Sequence, residues 1–223
     1  MKKIIQSYFF RLLRLFLGLF LYALGTVITI QANVGLAPWE AFHMGLSQKT
    51  GISFGKIVIL VGLLIVMVSV ILKEKIGFGT VLNMIFIGTF CDLIIDWNFI
   101  PRIDNYGLGI LFMLFGLFVI CLGSYFYIGS ALGAGPRDSL MIGLKKKFSG
   151  IPVGMIRGMI EGTVLLLGWL MGAKVGLGTV IAVFGISFIL QFTFKCLRFN
   201  VDDLHSESVT ETVRNLGVIR KES

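Results

Sequence analysis

Six long runs of apolar residues dominate the sequence, and five of them are long enough to cross a lipid bilayer, while the first is slightly short and can be completed by Gln31-Ala32 or by a snorkelling Arg14. A transmembrane helix needs about 20 mainly apolar residues to span a hydrocarbon core of ~30 Å. Of the 223 residues, 56% are hydrophobic and only 14% are charged, whereas soluble domains carry about 25% charged residues. The sequence therefore predicts an all-α integral membrane protein with about six transmembrane helices. The predicted spans are Leu15–Ile30, Ser53–Leu72, Ile76–Ile95, Tyr106–Ser130, Pro152–Ala173 and Val175–Phe194.

A glycine–proline–acid motif occurs twice between these spans. The copies are Gly35-Leu36-Ala37-Pro38-Trp39-Glu40 and Gly133-Ala134-Gly135-Pro136-Arg137-Asp138. Proline suits the first position of a helix, and a carboxylate in the first turn complements the positive end of the helix dipole. Each motif thus predicts the start of a short helix, over 38–48 and 136–148. Such a helix is about 16 Å long, or half the bilayer core, so it is either re-entrant or interfacial.

The motif belongs to a longer repeat. Gly18 and Gly25 correspond to Gly116 and Gly123, and after one inserted residue the Gly-x-Gly-Thr segment at 77–80 corresponds to that at 176–179. Matches kept in this order predict a duplication. We therefore divide the chain into a basic interfacial N-terminus, two three-span repeats, and a tail with a short helix around 206–215. The bounds are 1–14, 15–97, 98–198 and 199–223.

The distribution of basic residues predicts the topology. Three spans lie between the two motifs, so the motifs should face opposite sides of the membrane and the repeats should be inverted. Cytoplasmic segments carry an excess of Lys and Arg, which places both termini in the cytoplasm. The external segments then hold only Lys49, Lys56, Arg102 and Lys174. The net charge of +8 comes from basic residues in the short segments that flank the spans. Basic segments in this position favour anionic lipid over nucleic acid as the partner.

Two charged residues interrupt the fifth span. Arg157 and Glu161 are four residues apart and share one helical face. Charges at this depth usually face the bundle interior or a wet cavity. The pair is either a self-neutralising structural element or part of a substrate or proton path, together with Glu40, Asp138 and Arg137.

Other residues have simpler interpretations. His43 is expected to be interfacial, Tyr127 to belong to an aromatic girdle with Tyr125 and Phe126, and Asp92 to be a polar cap at the bundle rim. The three cysteines show no disulfide or metal-ligand spacing. No catalytic motif, metal site or cofactor site is recognised, so an enzyme is not expected.

The second half of the chain resembles a known family. Its segment 133–141, Gly-Ala-Gly-Pro-Arg-Asp-Ser-Leu-Met, is followed by Arg157, Glu161, Gly168-Trp169 and Gly176-Leu177-Gly178-Thr179. This pattern is similar to the YczE/YitT family of bacterial multi-pass membrane proteins, and the likeness to the YczE branch covers nearly the whole chain. The resemblance implies a protein of the bacterial plasma membrane but supplies no substrate. In the first half Trp39-Glu40 stands where Arg137-Asp138 stands in the second.

The inverted repeat and the charge pair within a span predict a small secondary transporter or exporter of an unidentified small solute or ion. Two alternatives remain open. One is a membrane scaffold or accessory subunit that does not transport. The other is a substrate-binding subunit of a multicomponent transporter. A homodimer or a membrane partner would be compatible with each.

Overall fold

The computed structural model of the chain describes residues 2–199 and 206–221, which fold into helices joined by short loops. No β-strand occurs within these described ranges. The tail at 199–223 lies partly outside them, and its helix begins at Val209. The helices are α1 (Lys2–Gln31), α2 (Pro38–Thr50), α3 (Phe54–Ile71), α4 (Phe78–Trp97), α5 (Tyr106–Ile128), α6 (Pro136–Lys147), α7 (Val153–Leu170), α8 (Leu177–Cys196) and α9 (Val209–Lys221).

Six of these helices are long and apolar enough to cross a membrane: α3, α4, α5, α7, α8 and the part of α1 from Gln6 onward. The all-α fold with six spans is therefore confirmed, and the outer faces of these helices contact the lipid bilayer. Helix α1 begins at Lys2, well before the predicted span. It is continuous because the sequence contains neither Gly nor Pro before Gly18.

Helices α1 and α5 cross where glycines face each other. A Cβ atom added at Gly18 would lie 2.8 Å from the carbonyl oxygen of Gly123, and one added at Gly25 would lie 2.7 Å from that of Gly116. Residue numbers rise along one helix as they fall along the other, so the two helices are antiparallel. Glycines at such a crossing let two backbones approach closely, which favours helix packing within a membrane.

Two matching sets of contacts hold the loops before the short helices. The Gly79 amide donates to the Leu132 carbonyl at 2.7 Å, and the Gly178 amide donates to the Val34 carbonyl at 2.9 Å. The Thr80 hydroxyl donates to the Ala134 carbonyl at 2.5 Å. Correspondingly, the Thr179 hydroxyl donates to the Leu36 carbonyl at 2.7 Å. Each loop is thus bound by a helix start from the other half of the chain.

Glycine is required in these loops for a conformational reason. Gly35 has φ = 122° and Gly133 has φ = 133°. Residues with a side chain rarely adopt such positive angles. Gly35 packs against Gly176, and Gly133 packs against Gly77, so no side chain would fit at these positions.

The two halves differ in how their last two spans pack. Helices α3 and α4 pack together, with Gly55 against the Gly88 backbone. The Asp92 carboxylate accepts hydrogen bonds from the Ser53 hydroxyl at 2.5 Å and from the Gly55 amide at 2.6 Å. The sequence predicts a polar cap for Asp92, and the structure shows that the helix it caps is α3. Helices α7 and α8 are not among the closely packed helix pairs of the described chain. Gly154, the counterpart of Gly55, has no atom of another element within 4 Å of a Cβ added to it.

Candidate functional site

The two short helices begin at the predicted prolines and meet inside the molecule. Pro38 and Pro136 each occupy the first turn of their helix, and Glu40 and Asp138 supply its acidic residue. The Arg137 guanidinium lies 3.8 Å from the Glu40 carboxylate. Arg137 also lies over the Trp39 ring, 4.7 Å from its centre. The first turns of α2 and α6 are therefore in contact.

This contact distinguishes between the two placements that the sequence left open. Helices α2 and α6 follow the ends of α1 and α5, which are antiparallel and so finish on opposite sides of the bundle. Two interfacial helices on opposite sides would be separated by a hydrocarbon core of ~30 Å. Because their first turns form an ion pair, α2 and α6 instead enter the bundle from opposite ends. Their starts are buried, and the last residues of α2, Gln48 to Thr50, are exposed.

A cavity of about 230 Å³ lies where these helix starts meet. All five charged residues predicted for a path line it, together with Pro38, Gly135 and Pro136 of the helix starts. The charged residues are Glu40, Arg137, Asp138, Arg157 and Glu161. Gly35 and Gly133 lie outside the cavity, where they shape the loops that lead to it.

The three carboxylates in the cavity have different partners. Glu40 is 6% exposed and pairs with Arg137. Asp138 accepts a hydrogen bond from the Tyr127 hydroxyl at 3.2 Å. Among the described residues, no cationic group lies within ion-pair distance of Asp138. The cavity therefore contains one carboxylate without a basic partner in the described chain.

Arg157 and Glu161 form an ion pair within α7. The Arg157 Nε donates to Glu161 Oε1 at 2.8 Å, and the two side chains are 47% and 21% exposed. Their cavity-facing position agrees with the prediction from their depth in the span. Both residues line the cavity, and the helix that carries them is not closely packed on α8.

Two tyrosines line the cavity that the sequence did not predict there. One was expected elsewhere, and the other was not singled out. Tyr127 was expected in an aromatic girdle, but it is 6% exposed and its hydroxyl contacts Asp138, so this interpretation was wrong. Tyr22 of α1 packs edge-to-face against it, with ring centres 6.3 Å apart. The helical position of Tyr127 relative to Tyr125 could have indicated a different face, but no local signal marks Tyr22.

His43 was expected at the membrane interface and instead lines the cavity. It is 2% exposed, and its Nδ1 atom has no hydrogen-bond partner in the described part of the chain. Its ring packs near Trp39, Phe42 and Phe54. The cavity thus holds a buried polar atom that could hydrogen-bond to a ligand.

The described residues contain no group of three His, Cys, Asp or Glu side chains that could hold a metal ion. Cys91 and Cys121 are buried, Cys196 is exposed, and all three are free thiols. The chemistry that the cavity offers is therefore ionic and hydrogen-bonding contact beside aromatic and aliphatic walls.

Comparison with known proteins finds relatives that cover most of this chain. It is 37% identical over 181 residues to the uncharacterized membrane protein YczE of Bacillus subtilis, with 80% of this chain and 82% of that protein covered. It is 32% identical over 178 residues to an uncharacterized protein of Haemophilus influenzae, covering 80% of each. The uncharacterized protein YyaS of Bacillus subtilis is 27% identical over 173 residues, covering 75% of this chain and 84% of YyaS. No solved structure matches this chain significantly.

The match to a protein family covers most of the chain. Residues 9–195 match a family of unknown function, DUF6198. These residues include four of the six membrane spans in full, nearly all of the first and last spans, and every charged residue of the cavity. With its similarity to YczE, this match confirms the resemblance seen in the motifs, and the chain belongs to the DUF6198 family.

Proposed function

We propose that this protein is a small secondary transporter or exporter of an unidentified small solute or ion. The observation that carries the proposal is the meeting of two short helix starts at a cavity within the bundle, where five charged residues converge. Charged groups are costly in a membrane and are retained mainly where they serve a site or pathway. Helix ends that meet inside a bundle are a common way for transporters to bind substrate.

The proposed transport uses alternating access of two inverted repeats. The reciprocal contacts support this arrangement. Gly18 packs on Gly123 as Gly116 packs on Gly25. The loop before α2 binds the start of α8 as the loop before α6 binds the start of α4. Each contact thus has an equivalent contact between the corresponding residues of the other repeat. Two repeats related by a pseudo-two-fold axis are expected to show such paired contacts.

The difference in helix packing between the two halves supports alternating access of the cavity to the two sides of the membrane. Helices α3 and α4 are joined by Asp92, Ser53 and Gly55 near the start of α3. Helices α7 and α8 are not closely packed, and open space surrounds Gly154, the counterpart of Gly55. In this proposal the first pair is a closed gate, the second is an open one, and transport exchanges the two states.

We place the protein in the bacterial plasma membrane with both termini in the cytoplasm. This placement follows from the basic residues of the flanking segments. With this orientation, the gate at Asp92 closes the external side, and the gap between α7 and α8 opens toward the cytoplasm. Transport is proposed in preference to catalysis because the cavity residues form a binding surface and no catalytic motif is recognised.

A second candidate function rests on the exposed face of α7. Gly154, Gly158 and Gly162 are spaced by four residues, and nothing lies within 4 Å of a Cβ added at any of them. Stripes of small residues often receive a partner helix in membranes. An accessory subunit, or a substrate-binding subunit of a larger transporter, would use this face for a partner. A defined membrane protein that co-purifies with this chain would favour this candidate.

The test begins with a thermal-stabilisation screen of small solutes on the purified protein. A stabilising solute is then measured for uptake into proteoliposomes. Glu161→Gln should lower the initial rate at least tenfold with little change in melting temperature, because it removes the charge and keeps the size of the side chain. Asp104→Asn removes an exposed carboxylate outside the cavity and should leave the rate unchanged. An unchanged rate in Glu161→Gln would reject this residue as part of the path.

A further inference from the structure

We propose that the cavity binds an organic cation with an apolar body, and that the Asp138 carboxylate is its counter-ion. This inference rests on the proposed function of the cavity as a substrate site, and it names the chemical class of the substrate.

The balance of charge in the cavity points to a cation. Two of its carboxylates already have arginine partners, since Glu40 pairs with Arg137 and Glu161 pairs with Arg157. Asp138 accepts a hydrogen bond from the Tyr127 hydroxyl, and it forms no ion pair with either arginine or with any other cationic group of the described residues. If all five charged groups are ionised, the cavity carries one uncompensated negative charge. A buried charge of this kind is costly unless it is paired, and a bound cation would pair it.

The helix starts argue against an anion. The N-terminal end of a helix attracts anions because its amide groups are unpaired and its dipole end is positive. In α2 and α6 this position already holds the chain's own carboxylates, Glu40 and Asp138. An anionic substrate would therefore meet negative charge at both helix starts.

The walls of the cavity fit an organic cation better than a bare metal ion. Trp39, Tyr22 and Tyr127 line it, and aromatic faces attract ammonium groups. The volume of about 230 Å³ far exceeds the space that one ion needs. No group of three potential metal ligands is assembled in the described chain.

His43 provides an independent indication of a ligand. Its Nδ1 atom is buried without a partner in the described chain, on a side chain that lines the cavity and is 2% exposed. Leaving such an atom unpaired is unfavourable. A hydrogen-bonding group on the ligand would satisfy it in addition to the contact with Asp138.

The apolar body of the ligand is assigned from the aliphatic side chains of the cavity. Ile160 of α7 and Ile186 and Leu190 of α8 line it together with the charged residues. These side chains give an aliphatic surface in the same cavity as the charged groups. A molecule with one cationic end and one apolar end would match both surfaces at once.

The test uses two probes of similar shape and opposite charge, benzyltrimethylammonium and phenylmethanesulfonate. Their binding to the purified full-length protein is measured by isothermal titration calorimetry, with empty micelles as the blank. The cation should bind at least tenfold more tightly than the sulfonate. Equal or tighter binding of the sulfonate, or no measurable binding of the cation at millimolar concentration, would overturn the proposal.

Matched variants locate the counter-ion. Asp138→Asn should weaken binding of benzyltrimethylammonium at least tenfold, whereas Asp104→Asn, outside the cavity, should not change it. Unchanged affinity in a folded Asp138→Asn protein would reject Asp138 as the counter-ion. If this variant does not fold, Asp138→Glu, which keeps the charge, should retain binding, and the comparison of cation and sulfonate on the unmodified protein still decides the charge preference.

Binding and uptake measurements together distinguish a wrong substrate class from a wrong proposed function. Charge-selective binding that depends on Asp138, without uptake of any bound solute into proteoliposomes, would leave the site standing and reject transport. Conversely, Glu161-dependent uptake of a solute without binding of the cation would support transport and reject the proposed substrate class.

Discussion

The Glu40 carboxylate and the Arg137 guanidinium lie 3.8 Å apart, and this ion pair joins the first turns of two short helices that enter the bundle from opposite ends. The Glu40 side chain is 8% exposed and that of Arg137 is 31% exposed. The two residues occupy adjacent positions of the repeated motif, Glu40 after Trp39 and Arg137 before Asp138. The pair therefore depends on a difference between the two copies of the motif, because Trp39 stands in the first copy where Arg137 stands in the second.

Breaking this pair from one side should destabilise the protein. Arg137→Gln should lower the free energy of unfolding by about 3 kcal/mol, because it leaves the buried Glu40 carboxylate without a partner. The double variant with Glu40→Gln should recover much of this loss. Reversible unfolding in mixed micelles measures both, with Lys56→Gln as a control for the loss of an exposed cation. Strictly additive losses in the double variant would contradict a direct interaction.

The gap between α7 and α8 gives a second prediction. Gly154→Leu should leave the melting temperature nearly unchanged, since open space surrounds Gly154 and leucine favours a helix over glycine by up to about 1 kcal/mol. If α7 must close on α8 during transport, as α3 is closed on α4, the added side chain should abolish uptake into proteoliposomes. Gly150→Leu, also in open space but before α7, is the control. Normal uptake by Gly154→Leu would show that close packing of α7 on α8 is not needed.

The proposed topology predicts opposite labelling at the ends of the two short helices. Lys49 and Ser149 are both exposed. In a background without Cys91, Cys121 and Cys196, Lys49→Cys should react with a membrane-impermeant maleimide in intact cells. Ser149→Cys should react only after the cells are permeabilised. Labelling of both sites from the same side would refute the inverted arrangement.

The tail contact predicts a pH dependence. Arg11 of α1 donates to Glu207 at 2.6 Å and also to the Ser130 and Ala131 carbonyls, so it ties the start of the tail to the loop that precedes α6. Partial burial acts to raise the pKa of Glu207, but hydrogen bonds from Arg11, Tyr8 and Thr212 outweigh it and lower the pKa below its ordinary value of 4.5.

Because the folded-state pKa is depressed, the stabilising contribution of Glu207 should be complete above about pH 4.5 and should be lost as the pH falls through the lower folded-state pKa. The contact is partly exposed, so its loss should cost about 1 kcal/mol. Arg11→Gln should produce the same loosening at neutral pH, measured as faster proteolysis within α9. Tail proteolysis that is equally fast in the unmodified protein and in Arg11→Gln would contradict this role.

Much of the fold follows from local features of the sequence. Apolar runs of sufficient length predict the six spans because a bilayer core has a set thickness and backbone polar groups must be satisfied within it. Pro38 and Pro136 predict the starts of the short helices because proline restricts its own φ. The predicted helix starts and the observed ones therefore coincide. Arg157 and Glu161 stand out for a related reason, since a charge within a span needs a partner or water.

The contacts that make the cavity required the tertiary structure. Nothing in the local sequence indicates that Glu40 reaches Arg137 or that Tyr22 lies against Tyr127, because each pair joins positions far apart in the chain. Tyr127 and His43 were misplaced for the same reason: aromatic and polar residues near a span end fit the membrane interface equally well by composition.

The sequence by itself thus determined which segments cross the membrane, where the short helices begin and which charges need a special environment, since these depend on hydrophobic length and local backbone geometry. Only the tertiary structure decided that those charges share one cavity, that Asp138 lacks a basic partner among the described residues, and that α7 stands apart from α8 while α3 packs on α4. The physical reason is that helix packing sets the distances between remote side chains, and one pattern of helices is compatible with more than one packing.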